Sequence, residues 1–296
     1  MCPDKKCNHV LTPEEVDKLS KRMGGGNRIK RKADEFPDPT SVPHAKLEPL
    51  FPDDEKNDVW TVRGCFKIIP FIFDVTSTMT IHRNAQNELT IFNALRCNEE
   101  LEQETLKLGT IAHVVKLGQF HGDADAYYVR APQFNSPKLW TLPQGSVAEG
   151  MKADGILTPE AAELPITGSN IYNLECHPFP EGLMTVPCQS SQGSSKLLVA
   201  CDSLVHVSDL SVIGYSTRFI FYLMGLNMKS ENGVPKPAPM WMKQTVGAVG
   251  VDRVRKWYQD IMQLEWNHFV GAHGGSAKDV DHDAVMQAVE ESLQGK

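Results

Sequence analysis

In the segment Leu117 to Tyr128 an apolar run gives way to Phe120-His121-Gly122-Asp123-Ala124-Asp125. One imidazole and two carboxylates spaced i, i+2 and i+4 point to one side of an extended backbone. That set is suited to cradling a metal ion. The same feature recurs downstream. His177 lies just beyond the β-rich stretch 171–175. Asp202 ends the apolar run Leu197-Leu198-Val199-Ala200-Cys201, and His273 follows Phe269-Val270 in the turn Gly271-Ala272-His273-Gly274-Gly275. Four strand ends therefore each deliver a His or an Asp, and layered folds build their sites at strand ends. Burying these side chains without partners would be unfavourable. A shared metal ion is their simplest common partner.

The order of these motifs resembles the metallo-β-lactamase superfamily, and within it the lactamase-like family of unknown function DUF4336. That superfamily carries HxHxDH after one strand, then a His, an Asp ending a strand, and a His in a Gly-rich turn. Here the matching residues are His121-Gly122-Asp123-Ala124-Asp125-Ala126, His177, Cys201-Asp202-Ser203 and Ala272-His273-Gly274. The resemblance spans about residues 60 to 280. It implies a mixed α/β (α+β) fold, a four-layer αββα metallo-β-lactamase-like sandwich. Carried over by position, it implies one metal site of His121, Asp123 and His177 and a second of Asp125, Asp202 and His273, with Asp202 bridging. Asp123 and Ala126 stand where the family motif has histidines. A carboxylate at 123 suits iron or manganese as well as zinc, so the implied cofactor is one or two divalent ions of any of these. Asp125 is the implied catalytic residue, orienting a metal-activated water; in a zinc site it is instead a ligand.

The elements that position these residues can be read from periodicity and punctuation. Thr12-Pro13-Glu14-Glu15 opens a helix to about Met23, followed by a linker with prolines at 37, 39, 43, 49 and 52. The organised domain is expected over 59–296, after an N-terminal extension of 1–58. Strands are expected at 59–62, 66–73, 79–82, 89–92, 111–117, 139–141, 171–175, 183–186, 197–201 and 268–270. Helices are expected at 99–108, 209–228, 252–263 and 277–293. The prolines at 235, 237 and 239 mark an irregular connection, and the apolar stretch 210–242 either roofs the site or packs as an outer helix. Cys176-His177 is no nucleophile–base pair, because adjacent strand residues point apart.

Composition narrows the function. The chain has 296 residues, 41% of them hydrophobic and 23% charged, as in ordinary globular proteins. A net charge of −7 argues against nucleic acid or an anionic membrane as partner. Seven cysteines at scattered spacings fit free thiols in a reducing compartment. The first thirty residues hold no apolar core of a secretory leader, and no apolar run reaches the ~20 residues of a membrane span. The expectation is a cytoplasmic metal-dependent hydrolase of a small-molecule ester, lactone, thioester or phosphoester. A di-iron redox protein and a non-catalytic binding protein on the same fold are the alternatives.

Overall fold

The computed structural model describes residues 46–69, 73–118, 123–143, 147, 151–173, 181–191, 193–207, 218–219, 222, 230 and 233–294. The expected helix at 12–23, most of 209–228, and the candidate residues His121 and His177 lie outside them.

Seven strands form one sheet: β1 (Leu47–Pro49), β2 (Val59–Ile69), β3 (Phe73–Arg83), β4 (Glu88–Phe92), β5 (Thr110–Lys116), β6 (Lys138–Thr141) and β7 (Gly155–Ile156), paired in that order. The second sheet holds β8 (Asn170–Asn173), β9 (Gly182–Ser190), β10 (Gly193–Val199), β11 (His268–Val270) and β12 (Ser276–Ala277), in spatial order β12-β11-β10-β9-β8. β4, β5, β6 and β7 pair in parallel, as do β10 and β11. Parallel neighbours need a crossover. Helix α1 (Glu99–Leu108) lies between β4 and β5, α2 (Asp123–Arg130) between β5 and β6, and α3 (Pro239–Val249) with α4 (Val251–Met262) between β10 and β11. Helix α5 (His282–Leu293) follows β12.

Side-chain alternation sorts the core into three layers. Phe92, Val115 and Leu117 from the first sheet meet Met184, Val186, Leu197 and Val199 from the second. On the outer face of the first sheet Met79, Ile81, Ile91 and Val114 pack with Leu101 of α1 and Tyr128 of α2. On the outer face of the second, Leu183, Leu198 and Phe269 pack with Trp241, Trp257, Ile261 and Val289 of α3, α4 and α5. Three apolar layers separate four structural ones, so the αββα sandwich implied by the resemblance is the architecture found. Among the described residues, no helix is long and apolar enough to cross a membrane.

Several elements follow from local signals. Helix α1 begins where the Asn98 side chain accepts the Leu101 N–H at 2.9 Å, and it ends at Gly109. Strand β1 pairs with β2, and Leu50 is buried in the inter-sheet core, ahead of the boundary expected at 58/59. Three expectations are corrected. The prolines before 240 do not mark irregular chain throughout: Pro239 opens α3, where a missing N–H leaves no bond unmade. The last helix starts at His282, capped by Asp281, because Ser276–Ala277 pairs with β11. Asp123 and Asp125 sit in helix α2, not in extended backbone. The two-residue period behind the expected one-sided cradle therefore does not apply to them.

Candidate metal centre

The parallel pairing of β10 and β11 brings Asp202 and His273 together. Leu197, Leu198 and Val199 stand opposite His268, Phe269 and Val270. The ladder continues past both strands, with the Ala200 N–H donating to the Val270 carbonyl at 3.0 Å and the Ala272 N–H to the Ala200 carbonyl at 3.1 Å. Asp202 follows Val199 by the same three positions as His273 follows Val270, so the register delivers both at one height beyond the strand ends. His273 Nε2 lies 2.8 Å from Asp202 Oδ1.

The first sheet fixes the other side of the imidazole. His273 Nδ1 is hydrogen-bonded to the Thr76 carbonyl. The Thr78 hydroxyl donates to the Gly274 carbonyl at 2.6 Å, and the Gly274 N–H donates to Thr76 Oγ1 at 3.1 Å. Strand β3 thus meets the second sheet with a threonine face that grips the 271–275 turn. Gly274 has φ of +96°, and a Cβ there would fall 2.0 Å from the His206 carbonyl oxygen. The turn requires glycine on both counts.

His273 thus faces a carbonyl oxygen on Nδ1 and a carboxylate on Nε2, an arrangement that favours its protonated form. Burial alone would lower its pKa. The Asp202 hydrogen bond and charge, with the Thr76 carbonyl, outweigh burial and raise it.

A third group completes the neighbourhood. Glu181 is 4% exposed and precedes β9. Its Oε1 accepts the Asp202 N–H at 2.8 Å and the Ser203 N–H at 3.0 Å. Burial, then the charge of Asp202, pushes its carboxyl well above the usual range. Ligand atoms of Glu181, Cys201 and Asp202 lie within 4.8 Å of one another. The Cys201 thiol, 3.5 Å from Asp202 Oδ2, is held well above its ordinary pKa by burial, then by Asp202 and Glu181. It is a protonated thiol in the metal-free protein. Gly118, at the end of β5, bridges to Glu181, and a Cβ on it would lie 2.4 Å from Cys201 Sγ. From the outer helical layer, the buried Tyr258 hydroxyl donates to the Ser203 carbonyl at 2.6 Å.

Of the sequence-derived candidates, the described structure pairs Asp202 with His273. Asp125 is buried on α2 at 3% exposure, and Asp123 opens that helix. His121 and His177 fall outside the described residues. Tyr127 and Tyr128 are packing residues: their hydroxyls donate to Glu102 and to the Leu95 carbonyl. Glu181, Thr76 and Thr78 were not anticipated. The alternation Thr76-Thr78-Thr80-His82 against Met79-Ile81 carried a signal for the threonines, but it reads equally as a solvated strand face.

The donor set fits a divalent ion. Asp202 offers carboxylate oxygen, and His273 offers Nε2 with its other nitrogen anchored on a backbone carbonyl, the usual support of a metal-binding histidine.

No protein-family description matches the chain, and no curated protein is similar to it. Solved structures similar to it include the DIM-1 metallo-β-lactamase, 9% identical with TM-score 0.49, covering 85% of this chain and 98% of that one. A flavo di-iron protein from Thermotoga maritima is 12% identical with TM-score 0.49, covering 84% of this chain and 62% of that one. The FIM-1 metallo-β-lactamase from Pseudomonas aeruginosa, in its mono-zinc form, is 12% identical with TM-score 0.44, covering 80% of this chain and 93% of that one.

Proposed function

We propose that the chain is a metal-dependent hydrolase acting on a small-molecule ester, lactone, thioester or phosphoester. The observation that carries this is the Asp202–His273 pair at the ends of parallel strands, with His273 Nδ1 anchored on Thr76. When bound, a divalent ion supplies a water acidified towards pKa ~7 and a Lewis acid for a carbonyl or phosphoryl oxygen. Asp202 and His273 would hold it. The Thr76 carbonyl holds the Nδ1 proton, which would leave Nε2 as the nitrogen for a cation. By the sequence resemblance, His121, Asp123 and His177 would complete the ligand set. Asp125 orients the water or serves as a ligand. Free thiols at Cys97, Cys188 and Cys201 support a reducing, cytoplasmic setting.

A second assignment has its own support. Asp202 and Asp123 carry carboxylates, hard oxygen donors that suit iron or manganese. The same centre would then serve di-iron redox chemistry.

The test is a panel of aryl esters, aliphatic lactones, a thioester and a phosphodiester, assayed with protein loaded with zinc, manganese or iron. Turnover of at least one class is expected. A chelator should abolish it, and Asp202→Asn should reduce it by about tenfold or more. Turnover indifferent to both would refute metal-dependent hydrolysis. Peroxide or dioxygen consumption by the iron form alone would favour the redox assignment.

A further inference from the structure

Glu181 has no counterpart in the sequence pattern that singled out the other site residues, yet it touches the Asp202 turn twice. The ladder between the ends of β10 and β11 runs on through Ala200 and Ala272, and past it the N–H groups of Asp202 and Ser203 turn to a side chain for their acceptor. Ser203 is fully buried, and a buried N–H left unpaired is strongly disfavoured. Both amides converge on Glu181 Oε1, at 2.8 and 3.0 Å. Glu181 is itself anchored. It bridges Gly118, and the next amide, Gly182 N–H, donates to the Leu117 carbonyl at 2.8 Å. The acceptor is therefore tied to the end of β5 while it grips the end of β10.

We propose that Glu181 is the positioning residue for Asp202: Oε1 binds the Asp202 and Ser203 amides together and so sets the Asp202 carboxylate against His273. Tyr258 holds the Ser203 carbonyl from the opposite layer, so the turn is gripped from both sides. The positioning is a property of the metal-free protein, and only its consequence for ion affinity rests on the proposed metal function. A residue that merely stabilised the fold would change the melting temperature but leave the Asp202–His273 hydrogen bond in place.

Two substitutions separate these roles. Glu181→Gln keeps an accepting oxygen at the same reach, and Glu181→Asp retracts it by one methylene. The first readout is the hydrogen-bonded imidazole N–H resonance of His273 in metal-free, 15N-histidine-labelled protein. The second is the cobalt(II) dissociation constant with its visible absorption spectrum. Wild type and Glu181→Gln should share the downfield resonance, and their cobalt affinities should agree within about threefold. Glu181→Asp should lose the resonance and bind cobalt at least about tenfold more weakly, with an altered spectrum. Retention of both signals in Glu181→Asp, or their loss in a folded Glu181→Gln, would overturn the proposal. If Glu181→Asp does not fold, amide exchange in the wild type decides. Protected Asp202 and Ser203 amides support the clamp, and freely exchanging ones refute it. A wild type that keeps the resonance but binds no cobalt would refute the metal function while leaving the positioning role supported.

Discussion

His273 is engaged by an acceptor on each nitrogen, Thr76 on Nδ1 and Asp202 on Nε2. The nitrogen a cation would take, Nε2, is therefore engaged by Asp202, and ion binding competes with that hydrogen bond. Because Asp202 and Thr76 raise the pKa of His273 against the effect of burial, the proton competes over a wider pH range than for a free imidazole. Protons compete with zinc for His273, so zinc affinity should weaken as pH falls, over a range shifted upward from that of a free imidazole. Calorimetric zinc titrations at several pH values measure this, and an affinity independent of pH would contradict it. Asp202 and His273 were legible in the sequence because each closes an apolar run. Glu181 was not, because a single glutamate between Pro180 and Gly182 reads as a solvated turn. Only the packing of three strand ends makes it a buried acceptor.

The elements around the centre make separate predictions. Strand β3 holds the His273 turn through Thr78, whose hydroxyl donates to the Gly274 carbonyl at 2.6 Å. Thr78→Val keeps the shape and removes the donor, so urea unfolding should show a loss of about 1–3 kcal/mol. Gly118 leaves β5 against Cys201, and a Cβ would stand 2.4 Å from Sγ and 3.0 Å from the Cys201 Cβ. Gly118→Ala should destabilise by about 1–3 kcal/mol, and Cys201→Ala in the same chain should restore part of that. No recovery in the double variant would mean that the strain lies elsewhere. Helix α1 was readable with both ends because its signals, the Asn98 cap and Gly109, are local. The start of α2 was not, because His121 to Asp125 has the residue types of a loop and helical backbone begins at Asp123. Helix α3 was missed because Pro239 resembles a breaker but sits where a helix tolerates it.

Across the whole molecule, the four layers were legible as two strand-rich halves closed by helices. The contacts joining the halves were not, because they pair residues far apart in the chain, such as Gly118 with Glu181 and His82 with Pro187. His82 makes one such contact, with Nε2 donating to the Pro187 carbonyl across the sandwich at 3.0 Å. Burial, only partly offset by that bond, lowers its pKa from 6.5 to about 4. A histidine kept neutral in the fold contributes stability at neutral pH that is lost as pH falls from about 6.5 through about 4, up to roughly 3 kcal/mol. The melting temperature should drop across that window, and His82→Gln, which retains a donor, should flatten the drop. An unchanged acid limb in that variant would exclude His82 as its source. The proposed metal centre lies where strand ends of the two sheets meet at the Asp202–His273 pair. Its most direct test is metal content by plasma mass spectrometry on protein purified without added metal, beside the His121→Ala/His273→Ala double variant. One or two zinc, iron or manganese ions per wild-type chain, lost in the double variant, are expected. No stoichiometric ion in the wild type, even after reconstitution, would contradict the metal centre and favour a binding protein on the same fold.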